Sequence, residues 1–143
     1  MVNRLVLATV LALAAAATVA TAFHVNVGNG IGTRTYVPAA AADVHRSYKL
    51  GIGRLRLDLS GVRLPRGETD IDARVGIGDL DVLVPADAAV RVKGDAQIGA
   101  VDVFERHADG RNADLKVGAA GHRVLVLHVR AGLGQVTVER AVR

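Results

Sequence analysis

The 143 residues carry a formal net charge of +4, half of them are apolar, and the chain holds no cysteine, no tryptophan and only 3% aromatic side chains. Without cysteine there is no disulfide framework, zinc–thiolate site or cysteine nucleophile, and a core so poor in aromatics must be filled by Val, Leu, Ile and Ala. The basic residues are dispersed among aspartates and lack aromatic stacking partners, which excludes the concentrated footprint that nucleic-acid binding requires.

Residues 1–4 form a short flank whose only charge is Arg4. From Leu5 to Phe23 there is no charge at all, and at about 1.5 Å per residue a helix over this stretch is about 28 Å long, close to the hydrocarbon thickness of a bilayer. With Arg4 ahead of it, the segment directs the rest of the chain out of the cytoplasm. Its length favours an uncleaved single-pass anchor. The alternative is a signal peptide cut after Ala20-Thr21-Ala22, a small-x-small site, which would release a secreted domain. Residues 24–43 read as a linker, rich in glycine and ending in an alanine run, with Thr33–Val37 as a short edge strand stopped by Pro38.

Residues 44–143 read as all-β, because alternating apolar and polar positions recur with almost no helical periodicity. Strands are expected over 47–50, 54–59, 70–75, 79–84, 89–92, 100–105, 113–117, 123–129 and 135–139. Several follow a Gly-x-Gly pair: Gly51-Ile52-Gly53, Gly76-Ile77-Gly78 and Gly132-Leu133-Gly134, with Gln97-Ile98-Gly99 and Gly30-Ile31-Gly32 as weaker copies. Each pair marks a sharp bend or bulge feeding a strand. Residues 106–112 read as a hairpin-like insertion that lengthens the last repeat. Shared parity predicts that Leu55, Leu57, Leu80, Val82, Val101, Val103, Val136 and Val138 are buried. Leu83 breaks the alternation, which predicts a strand covered on both sides. A single unit cannot bury its apolar face alone, so the units must stack into a repeated-strand β-solenoid or layered sandwich. Strand 135–139, the last in the sequence, is open to two placements, an exposed edge or a strand covered by an earlier one.

No constellation for catalysis emerges. The glycine pairs lead into strands, whereas a phosphate cradle needs a helix N-terminus after them. Asp70, Asp72, Asp79 and Asp81 could approach across strands as calcium ligands or an acid/base pair, but their parity suits pairing with Arg54, Arg56, Arg74 or Arg91 on a neighbouring strand. His122 and His128 lie about 20 Å apart on an extended strand, too far to share a metal. His24, His45 and His107 fall in tether, turn and loop, and Ser47, Ser60, Thr69 and Thr137 have no certifiable triad partners. The sequence therefore assigns no catalytic, cofactor-binding or metal residue, and no cofactor.

Three ordered blocks carry a family resemblance: Gly32-Thr33-Arg34-Thr35-Tyr36-Val37-Pro38; Tyr48-Lys49-Leu50-Gly51-Ile52-Gly53 leading to Leu57-Asp58-Leu59; and Ala73-Arg74-Val75-Gly76-Ile77-Gly78-Asp79-Leu80 with Val84-Pro85. They resemble the C-terminal, toastrack-type domain of actinobacterial membrane proteins related to phage shock protein C and of LiaF-like regulators of the cell-wall-active antibiotic response. Members of that family typically carry a phage-shock-protein-C domain or several transmembrane helices ahead of this domain, where this chain has a single apolar segment. The resemblance implies a non-enzymatic, membrane-tethered envelope module acting on an envelope stress response through protein contacts. It implies a membrane or envelope partner such as a sensor histidine kinase, with self-association open. The alternative is a structural or adhesive envelope protein without a signalling role.

Overall fold

The computed structural model describes residues 30–142. The segment from Leu5 to Phe23 lies outside the described residues, within which no helix is long and apolar enough to cross a membrane. Six strands follow one another: β1 (Ile31–Tyr36), β2 (Ser47–Asp58), β3 (Gly67–Val84), β4 (Ala89–Val103), β5 (Arg106–Val117) and β6 (Arg123–Arg140), with one 3-10 turn at Ala41–Asp43. They form a single mixed sheet in the order β1-β2-β3-β6-β4-β5. Every neighbouring pair is parallel except β4 and β5.

The glycine pairs do not separate strands; they bend them. The expected strands 47–50 and 54–59 are two halves of β2, and the same fusion produces β3, β4 and β6. Backbone pairing aligns Gly32, Gly53, Gly78, Gly134, Gly99 and Gly110 side by side across all six strands. Each has a positive φ, between 109° and 143°. Such an angle kinks a strand and shifts its pleat without ending the ladder. The buried parity accordingly switches at the column: Leu50 precedes it and Leu55 follows in β2, Val75 and Leu80 in β3, Ala96 and Val101 in β4, Ala131 and Val136 in β6.

The two halves of the bent sheet face each other. A side chain placed on Gly94, before the bend in β4, would meet Val101 and Val103, which lie after it in the same strand. One aliphatic core fills the space, with Leu55, Leu57, Leu80, Val101, Leu127, Val136 and Val138 completely buried. All eight residues expected inside are inside. Val62 and Leu64, in the connection between β2 and β3, add to this core. Bending also explains the short crossovers. A parallel connection ordinarily needs about a dozen residues or more, yet 59–66 suffice between β2 and β3, because a folded-over strand ends near where its neighbour starts.

Four expectations change. Only β1 to β3 stack in chain order; β6 then inserts between β3 and β4, and β5 runs antiparallel, so the strands make one open mixed sheet and not a regular solenoid. Residues 106–112 are the first half of β5 and contribute Gly110 to the column, which the sequence hid because no Gly-x-Gly pair surrounds it. Strand 135–139 is the second half of the central strand β6, flanked on both sides, so its exposed-edge placement is overturned. Leu83 is half-buried on the outer face, in a depression with Arg56, Asp81, Thr137 and Glu139, and is not covered by a second layer.

A candidate interaction surface

Alternation sends the polar side chains of the bent sheet outward in rows that run across the strands. Beyond the glycine column, Arg56, Asp81, Thr137, Asp102 and His107 stand in one register row over β2, β3, β6, β4 and β5. The aspartates anticipated from sequence are divided by the bend: Asp70 and Asp72 precede it in β3, Asp79 and Asp81 follow it. Among the described residues no group of three His, Asp or Glu is placed to hold a metal ion.

The expected arginine pairing holds at one position and shifts at others. Arg54 donates to Asp79 of the adjacent strand at 3.0 Å. Arg74 instead reaches Asp72 on its own strand at 2.5 Å, and Arg91 takes Glu68 at 2.7 Å. The hydrogen bond from Arg74 holds the Asp72 carboxyl below the usual carboxylate range against the opposing effect of partial burial. Asp58 is lowered similarly by the Ser60 hydroxyl and backbone N–H, which fixes the turn leaving β2. These exposed pairs orient side chains and contribute little stability each.

His107, expected in a solvated loop, lies in β5 directly opposite Asp102 of β4. Its Nδ1 bonds the Asp102 carboxylate, whose second oxygen accepts a hydrogen bond from Gln135 Nε2 at 2.9 Å, and Asp109 lies 3.9 Å from Nε2. The hydrogen bond with Asp102, helped by the charges of Asp102 and Asp109, raises the imidazole pKa above its ordinary 6.5. A group raised in the folded state contributes stability that is complete below the unfolded pKa and lost as pH rises through the folded one. The β4–β5 hairpin should therefore lose amide-exchange protection as pH climbs above 6.5. In Asp102→Asn the His107 midpoint, followed by NMR, should fall; an unchanged midpoint would contradict the assignment.

The other histidines are dispersed. His45 donates its backbone N–H to the Tyr48 hydroxyl at 2.9 Å, with the two rings edge to face. His128 stands between Asp72 and Lys93 in register, and His122 lines a surface depression with Arg66, Asp87 and Arg123. His24 lies outside the described residues. Sequence reasoning placed Arg140 only as the residue following strand 135–139 and gave it no partner. Its Nη1 donates to the carbonyls of Pro85, Ala86 and Ala88 at 3.3, 3.2 and 2.8 Å while the guanidinium sits 5.0 Å from the Phe104 ring centre. It clasps the β3–β4 connection to the β4–β5 turn, and nothing in the local pattern announces a partner 52 residues or more away.

The two sheet edges differ. β5 presents Arg106, Asp109, Arg111, Asp114 and Lys116 and is kinked by positive φ at both Gly110 and Asn112. Charge and irregularity are the usual defences of an edge against further pairing. β1 is short, exposed along nearly its whole length and carries Arg34 as its single charge. Among the described residues nothing lies within 4 Å of where a side chain on Gly32 would point, whereas the same direction from Gly53, Gly78, Gly134 and Gly99 meets the next glycine's carbonyl. Among the described residues the column is thus open at β1, as it also is at Gly110 of β5.

A search of curated proteins finds no match. Among solved structures, the chain is similar to a Clostridium sporogenes protein designated a candidate cell adhesion protein, at 20% identity and a TM-score of 0.49. That likeness covers 77% of this chain and 52% of the other, so this chain spans about half the length of that protein. Residues 31–138, the whole of the sheet from β1 into β6, match the family of the C-terminal domain of LiaF of the cell wall-active antibiotics response. The chain belongs to that LiaF-like C-terminal family.

Proposed function

We propose that this chain is a non-enzymatic, membrane-tethered envelope module that modulates a cell-wall stress response by binding another membrane or envelope protein, of which a sensor histidine kinase is the leading type. Membership of a family defined by the response to cell wall-active antibiotics supports the process. The open β1 edge carries the mode of contact: a partner strand can add there, its backbone groups pairing with those of β1. The uncharged segment Leu5–Phe23 serves as the tether, which holds the sheet outside the cytoplasm and raises the local concentration of both partners in the membrane plane.

A photo-crosslinking residue at Thr33, compared with one at Ala120 in the β5–β6 connection, tests this in cells exposed to a cell wall-active antibiotic. A protein partner should be captured from Thr33 and not from Ala120, and deletion of the gene should change the transcriptional response. If no protein is captured and the response is unchanged, a structural or adhesive role replaces signalling.

A further inference from the structure

The middle residue of each Gly-x-Gly repeat is aliphatic, and none of these residues is in the core. Ile31, Ile52, Ile77, Leu133 and Ile98 are aligned across β1, β2, β3, β6 and β4. None belongs to the core cluster or to the hydrophobics packed against it. Ile31 is 72% exposed, Ile98 38%, and the three between them are half-buried by their neighbours in the row. Scattered exposed aliphatics are ordinary, but contiguous ones mark an interaction surface. At about 4.8 Å between strands the row is roughly 19 Å long, along the outside of the bend.

We infer that this aliphatic ridge seats the domain on an anionic lipid surface. Its location supports that occupant. Ile31, the first residue of the ridge, is so close in sequence to Phe23, where the uncharged segment ends, that even a fully extended connection spans no more than about 28 Å. A membrane anchor at Leu5–Phe23 therefore keeps the ridge within reach of the bilayer surface, and the inference rests on that tethered reading.

Charge supplies the second reason. Beside the ridge, on its N-terminal side, Lys49, Arg74 and Arg130 stand directly opposite one another on β2, β3 and β6, all exposed. Like charges in directly opposed positions destabilise a sheet. Asp72 and Asp95 answer two of them, at 2.5 and 3.6 Å, and among the described residues Lys49 has no ion pair. An aliphatic row with cations alongside suits the boundary between acyl chains and anionic headgroups.

Because the chain has no cysteine, single cysteines can report on this contact. The full chain is reconstituted into vesicles of phosphatidylglycerol and phosphatidylcholine containing brominated lipid, with an environment-sensitive fluorophore at Ile77→Cys, Ile52→Cys or, as a control, Ala120→Cys. The ridge labels should be quenched several-fold more than the control. The difference should shrink in phosphatidylcholine alone and in the triple variant Lys49→Gln, Arg74→Gln, Arg130→Gln. Equal quenching at all three positions overturns the inference. Ridge labels shielded from lipid but transferring energy to labels on other copies also overturn it and assign the ridge to self-association. Carbonate-resistant flotation reports the anchor separately: floating protein without ridge quenching leaves the anchor standing and removes the lipid contact, and protein that does not float removes both.

Discussion

Gly78→Val should be as damaging as any single substitution in the glycine column, costing at least about 3 kcal/mol and leaving little folded protein at ambient temperature. The new Cβ would fall 1.8 Å from the Gly53 carbonyl oxygen, on a residue with φ of +132°. Both strands lie inside the sheet, so neither can withdraw. Gly32→Ala separates the two causes, since Gly32 shares the positive φ of +128° but a side chain there meets nothing within 4 Å among the described residues. It should lose only the conformational part, about 1 kcal/mol. Gly61→Ala, with open space and no positive φ, should change stability by less than about 0.5 kcal/mol. Urea denaturation of the three variants checks the order, and equal midpoints for Gly78→Val and Gly32→Ala would remove the stacking argument.

Deleting residues 130–143 should unfold the domain and not merely shorten an edge. The deletion removes Ala131, Val136 and Val138 from the core and strips the second half of both β3 and β4 of their shared partner. Loss of a single buried aliphatic side chain down to alanine commonly costs about 2–5 kcal/mol, comparable to much of a domain's stability. Circular dichroism should show loss of the strand signal and of cooperative melting. A truncated chain that still melted cooperatively would mean that β3 and β4 can close without β6.

The interior was legible because it depends on local alternation: Leu55, Leu57, Val101 and Val138 announce their face within a few residues. The glycine spacing at 32, 53, 78, 99 and 134 identified five of the six column members. It also misled, since a residue with positive φ can end a strand or bend it, and only the neighbouring glycine carbonyls decide which. Strand order was not legible. The pairing of β6 between β3 and β4, the opposition of His107 to Asp102 and the reach of Arg140 to Ala88 all join positions that no periodicity connects. The exposed aliphatics at the centre of each repeat were visible as letters, but their alignment on the outside of a bend required the register.

The central position of β6 dictates the timing of assembly. The strand that β3 and β4 both need is made after both of them, so a growing chain can stack β1 to β3 and close the β4–β5 hairpin but must hold two unsatisfied sheet borders until β6 arrives. Non-local closure of this kind is slow and leaves adhesive backbone exposed meanwhile. The unfinished intermediate is the species that chaperones and proteases would encounter.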